Sequence, residues 1–583
     1  MSNQPWVRFY GEMPSSLEYP SNTIFELFAE SAKAHAQSTA VEFLDRKISY
    51  GQLLRQTESV AAGLYQLGVR RTMRIALVLP SSPHVPVALY AANRIGAIVS
   101  PFDPDESDVA LSQFLHLVRP EWVFCLEEHV SKISHLCGRN LAGIIQCSLL
   151  DFGSKAHVRR LLRRRSDSLG NRHVLALSQV MPNSLERDTG ETAPCFSWRA
   201  LLSRGNLSEV PSVQSLHGPD ETAVILVTSG TSSTPRGVLH GDAQLNAAAL
   251  QTRMQGPLLT NQKVVGVIPF SHGFGLNSLI HAPILSGARA IYLPFWTPSL
   301  LAKTIQVRRP EYVIAHPSTY ARLIDERSFR KANHRALMGA FSGGSRLTTG
   351  VRQEFERFVR ASGGAVTIRE GYGLTETVAA CATMPEGVSR SRSVGVPYPD
   401  TEIRVGETRS PRAVRRGVPP KWVPADTPGE IFVSGPTVMG GYLDDESGTR
   451  SALCVDRDQR TWLATGDIGT MDADGFLYVI QRIEPLRDGR TSLHGYTEIV
   501  IAEHPDVRDV VLVRGSTTLA STAFVEPLSR DIDHGVLRAR LLDLLHKLAP
   551  EQRPSEVVVL PRLPRTRSGS VEYAKLTPLT GST

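Results

Sequence analysis

Ala223-Val224-Ile225-Leu226-Val227 is an unbroken apolar run that opens directly into Thr228-Ser229-Gly230-Thr231-Ser232-Ser233-Thr234-Pro235-Arg236-Gly237. Such a run, bounded by Gly and small hydroxylated residues, reads as a buried strand leading into a tight loop. Similar runs recur along the chain. Arg74–Leu79 precedes a helical stretch at His84–Ile95, and Val264–Ile268, Ala290–Leu293 and Tyr312–Ala315 are separated by helix-length segments. This alternation implies an α/β fold with parallel sheets buried on both faces. A loop of this composition can aim backbone N–H groups and hydroxyls at a phosphate chain, with Arg236 adding a fixed positive charge. The nucleotide-triphosphatase P-loop is excluded, because it needs Gly-Lys-Ser/Thr where this chain has Pro235-Arg236-Gly237.

The chain's 583 residues exceed one ordinary domain and imply several compact units. Near residue 482 the pattern changes to a smaller β/α unit. It reads as a helix at Thr497–Glu503, strands at Val510–Val513 and Thr522–Val525, a helix at Gly535–Leu548 and a strand at Glu556–Leu560. The expected division is a large domain over 1–481 and a small α+β domain over 482–583. Residues 150–220 lack periodicity and read as a variable basic insertion, with the densest charge at Arg159–Arg165. That run is expected to be a solvated helix face, with peripheral membrane contact as the alternative. Without interleaved aromatics or a nucleic-acid motif, the net charge of +7 does not point to nucleic acid. No apolar run is long enough to span a bilayer, and no secretory signal precedes the first elements. The six scattered cysteines, with no C-x-x-C pair, fit free thiols in a reducing compartment, hence a cytoplasmic protein.

Further motifs follow in order. They are Pro269-Phe270-Ser271-His272-Gly273-Phe274, Ser342-Gly343-Gly344, Gly371-Tyr372-Gly373-Leu374-Thr375-Glu376, Pro428-Gly429-Glu430, Gly441-Tyr442 and Thr465-Gly466-Asp467. Together with the loop at 228–237 they resemble the adenylate-forming superfamily, the acyl-CoA synthetases, peptide-synthetase adenylation domains and luciferases. The family loop reads T-S-G-T-[ST]-G-x-P-K-G, so Arg236 stands for its Lys and Ser233 for a Gly.

The resemblance implies a large domain of α/β subdomains, and a small mobile C-terminal domain that turns about a hinge at Glu484. It implies ATP-dependent activation of a carboxylic acid, an acyl chain by analogy with fatty-acid ligases. Transfer to CoA or to a carrier-protein phosphopantetheine would follow. Thr228, Ser229, Gly230, Thr231, Ser232 and Arg236 would then hold the phosphates, and Glu376 would hold Mg²⁺. Asp467 suits both ribose hydroxyls, since a carboxylate offers two oxygens. Gly371, Tyr372, Gly373 and Thr375 would pack around adenine, with Gly343 and Gly344 allowing close approach. Arg482 would contact ribose or phosphate, and His272 would sit by the carboxylate. Phe270, Phe274 and the segment Ser342–Arg346 would shape the acyl pocket.

The chain also departs from the family pattern. The family's C-terminal lysine, in P-x-T-x-x-G-K, is matched by Ser570, with Arg567 and Lys575 the nearest cations. After the hinge only Gly489 remains of a Gly-rich loop, and Asp242 stands where relatives carry His, with His240 nearby. Two alternatives to a complete ligase follow. One is a half-enzyme that makes only the thioester from a supplied acyl-adenylate; the other is a nucleotide- or acyl-binding homologue without turnover.

Overall fold

A computed structural model describes residues 4–138, 141–156, 158–159, 193–204, 218, 221–228, 235–256, 258–410, 413–414, 417–482, 495–514, 521–565 and 571–580. Two large sheets carry the main body, and each is parallel at its centre as the strand–helix alternation predicts. In the eight-stranded sheet, Thr222–Val227 pairs in parallel with Ile98–Phe102, and Arg74–Val78 lies between Ile98–Phe102 and Trp122–Leu126. In the nine-stranded sheet the parallel run includes Lys263–Gly266, Tyr312–Ala315, Gly339–Ser342 and Ile368–Gly373. Burial on both faces explains why these strands read as continuous apolar runs.

Helices flank the sheets. His84–Arg94 is buried at ten of its eleven positions, so it is sandwiched within the core, as all-round burial requires. Ile24–Ala34 begins at a capping box in which Thr23 and Glu26 satisfy each other's backbone N–H groups.

Two features depart from the sequence expectation. A five-stranded antiparallel sheet, built on Glu402–Gly406, Gly429–Ser434 and Thr461–Met471, joins the parallel ones. Its strands alternate too weakly to stand out, because their faces are mostly buried. Part of the region taken as an insertion is also core. Cys195–Ser197 adds an edge strand to the eight-stranded sheet, and Trp198–Arg204 packs the fully buried Trp198 against Phe124, Phe152 and His84. The basic run itself, apart from Arg159, lies outside the described residues.

The C-terminal unit forms as expected, with a helix at Gly495–Ala502, strands at Val507–Arg514, Ser521–Pro527 and Glu556–Val559, and a helix at His534–Leu545. It packs against the main body. Arg508 reaches the Ala321 carbonyl and Asp325, the Thr348 hydroxyl donates to the Arg508 carbonyl, and Arg392 pairs with Glu503. Glu484, the loop 485–490 and Ser570 lie outside the described residues. Among the described residues no helix is long and apolar enough to cross a membrane, and all six cysteines are free thiols.

Candidate active site

The C-terminal ends of the parallel strands open into one cleft of about 1060 Å³, the usual place for a ligand in an open α/β sheet. Strand register sets its floor. Ala315, Ser342 and Glu370 lie side by side, so the next residues, His316, Gly343 and Gly371, form the uppermost row. Side chains from the small C-terminal unit, Glu498, Ile499 and Tyr573 among them, close the opposite wall.

At the phosphate end, the hairpin of Thr222–Val227 and Gly237–Gly241 closes its neck at Thr228. The Thr228 N–H donates to the Arg236 carbonyl at 3.0 Å, and the Arg236 N–H donates to Thr228 Oγ1 at 3.0 Å. Ser229, Gly230, Thr231 and Ser232 lie outside the described residues. Arg236 places its guanidinium 4.9 Å from the Tyr442 ring centroid and 3.7 Å from Asp445. The Tyr442 hydroxyl donates to Glu376 Oε1 at 2.8 Å. Arg236 and Glu376 are thus linked through Tyr442, which belongs to the Gly441-Tyr442 motif. Glu376 is buried, and a carboxylate in this position suits a cation held mainly by phosphate and water oxygens. No cluster of three metal-ligating side chains exists among the described residues.

At the other end Asp467 is buried. Its Oδ2 accepts from the Tyr372 hydroxyl at 2.6 Å, and its Oδ1 faces Arg482 at 3.3 Å. Register places this pair, since Asp467 and Arg482 are directly opposed on adjacent antiparallel strands. Burial raises the Asp467 pKa, and the Arg482 charge opposes that rise.

Between the two ends, His272 precedes the short helix Gly273–Leu276 and faces His316, with ring centroids 6.3 Å apart. Burial, helped by the neighbouring His316, lowers the His272 pKa to about 4. His316, which sequence reasoning missed, bonds through Nδ1 to the Gly343 carbonyl at 2.9 Å. That bond makes Nδ1 the protonated nitrogen and leaves Nε2 an acceptor. Its only signal in the sequence was its place at the end of a buried strand before Pro317. Gly344 is required here: its φ is +85°, and a Cβ would lie 2.7 Å from His316. Val378 adopts φ +63° in a tight turn closed by the Ala379 N–H to the Thr377 carbonyl. A β-branched residue is strained there, and its carbonyl lies 1.6 Å from where a Cβ on Gly273 would stand.

Gly371, Tyr372, Gly373 and Thr375 all line the cleft, as do Gly343, Gly344 and Phe274. Phe270 does not: it packs edge-on against Tyr292 in the core. Asp242 is structural as well, because its Oδ1 accepts from the Ile24 N–H and from Asn93. His240 bonds beneath the site to the Thr375 carbonyl at 2.7 Å. Lys575 pairs with Glu572 on the surface.

Residues 28–443 match the family model described as AMP-binding enzyme. The chain is 25% identical, over 99% of its length and 98% of the relative's, to a long-chain-fatty-acid–CoA ligase of Bacillus subtilis. It is 25% identical, over 92% of its length and 87% of the relative's, to 4-coumarate–CoA ligase-like 2 of Arabidopsis thaliana. Its fold superposes with a TM-score of 0.77 at 18% identity on an anthranilate CoA ligase bound to anthranoyl-AMP, covering 98% of each chain.

Proposed function

The chain belongs to the AMP-binding enzyme family, and on that premise we propose a division of labour within its cleft for ATP-dependent activation of a carboxylic acid and transfer to CoA. It is an enzyme of the AMP-forming acid–thiol ligase class, with ATP and CoA as co-substrates. The observation that carries the residue assignments is the convergence of three clusters on one cleft: Arg236–Tyr442–Glu376, Tyr372–Asp467–Arg482 and His272–His316–Gly343.

In this proposal Arg236 and the loop it closes bind the β- and γ-phosphates, spreading the charge that two approaching anions bring together. Glu376 would hold Mg²⁺, which when bound screens the phosphates. Asp467 accepts both ribose hydroxyls, while Tyr372 and Arg482 fix its orientation. The adenine lies along Gly371–Gly373. His272 and His316 border the carboxylate; a neutral His272 can hydrogen-bond it without holding it as a counter-ion. The acid attacks the α-phosphorus, the bond to pyrophosphate breaks, and the thiol later displaces AMP from the acyl carbon.

Ser570 bears on the first half-reaction. A serine carries no charge to bridge carboxylate and phosphate, and one lost transition-state contact of this kind costs about 10²–10³ in rate. Slow adenylation followed by normal thioester formation is therefore expected. Ser570→Lys should raise carboxylate-dependent pyrophosphate exchange by at least about tenfold, and no increase would sink the assignment. The second reading, a half-enzyme, also rests on Ser570. Thioester formation from a synthetic acyl-adenylate, without any exchange activity, would favour it. A carrier-protein thiol in place of CoA is read out in the same assay by the acceptor supplied. Tight nucleotide binding with neither activity would mark a binding protein.

A further inference from the structure

A buried cation, Arg369, lines the cleft among apolar side chains such as Leu258, Val264, Ile314 and Phe341. Ile314, Phe341 and Arg369 lie side by side across three parallel strands, two residues below His316, Gly343 and Gly371. Residues i and i+2 of a strand share a face, and all six line the cleft. Two residues of strand rise about 7 Å, so the Arg369 backbone lies roughly that far below the row that borders the reacting carboxylate.

Arg369 is 9% exposed. Its Nε donates to the Met384 carbonyl at 2.7 Å, Nη2 to Gln255 Oε1 at 2.9 Å, and Nη1 to the Gln255 carbonyl. All three acceptors are neutral, and only the Gln255 carbonyl, at the end of the helix Asp242–Gln255, adds the partial negative charge of a helix C-terminus. A guanidinium has five N–H donors, and two remain. Its face lies 5.0 Å from the Phe341 ring centroid. Among the described residues no carboxylate pairs with it; the exposed Glu386 acts on it only through space. Tyr312, also lining the cleft, lies within its field, and burial raises the Tyr312 pKa to about 12.

A buried charge with neutral partners gains from a counter-ion and loses when its water is replaced by hydrocarbon. An alkyl tail filling this part of the cleft would leave two charged N–H groups unsatisfied. A carboxylate would accept from these N–H groups and neutralise the charge. We infer that Arg369 anchors a second carboxylate, and that the acid activated here is a short-spaced dicarboxylic acid rather than a plain fatty acid. The inference rests on the cleft being the adenylation site.

The test uses hydrolysis-resistant acyl-sulfamoyl adenosines of equal length whose tails end in carboxylate or methyl, titrated calorimetrically into the full-length protein. Turnover of glutarate, adipate and suberate is compared with that of pentanoate, hexanoate and octanoate. The carboxylate-ended compound should bind at least about tenfold more tightly, and Arg369→Met should invert that ratio. Because Arg369 also braces Gln255 and Met384, the variant's folding is checked by thermal melting, and the wild-type comparison stands without it. Equal or tighter binding of the methyl-ended compound to the wild type overturns the inference and leaves the adenylation site intact. Binding of neither compound overturns both.

Discussion

Asp467 shows how much a single position owes to its surroundings. Alone, a carboxylate after Thr-Gly is an ordinary turn residue; here it is buried between Tyr372 and Arg482, with both oxygens engaged. Replacing Asp467 by Asn keeps the shape and removes the charge. A hydrogen bond to a charged group is worth about 1.5–3 kcal/mol, so ATP affinity should fall by about tenfold to hundredfold. Calorimetric titration with ATP would show it, and unchanged affinity would remove Asp467 from the ribose site. Glu376, Asp467 and His272, which line the cleft, could be singled out from the sequence because each sits inside a local motif. The roles of Tyr442, His316 and Arg369 were not readable there, because each depends on a partner distant in the chain: Glu376, the Gly343 carbonyl and Gln255.

Among the elements, the strand–helix alternation was readable wherever a strand is buried on both faces. Thr222–Val227 and Tyr312–Ala315 fall within a residue of expectation. The pair Cys195–Ser197 and Trp198–Arg204 was not readable, since three strand residues and a two-turn helix are too short to show a period. Its worth comes from packing. Trp198 is 2% exposed and meets three aromatic rings. Trp198→Ala should cost about 3–5 kcal/mol, visible as a lower denaturation midpoint. A loss below about 1 kcal/mol would mean that the segment is peripheral after all.

For the molecule as a whole, buried imidazoles couple stability to acid. His281 is enclosed, bonding to the Tyr90 hydroxyl at 3.0 Å and to Asn246 at 2.8 Å, and burial lowers its pKa from 6.5 to about 3. A pKa depressed by folding means that its contribution is full above pH 6.5 and is lost as the pH falls towards 3. The wild type should therefore lose stability relative to His281→Gln across that window, by up to about 1.4 kcal/mol per pH unit. Taking the difference between the two proteins cancels every other titrating group. A difference that stays flat with pH would show that His281 is protonated in the folded state. The sequence by itself determined the α/β class, the order of the motifs and the smaller C-terminal unit, because hydrophobic period and loop chemistry are local. Only the tertiary structure decided that the motif loop carrying Glu376 meets Arg236 through Tyr442, that the five-stranded antiparallel sheet holds Asp467 against Arg482, and that the Arg369 guanidinium lies in the cleft. Those juxtapositions depend on strand register and on burial across hundreds of residues, where no local pattern reaches.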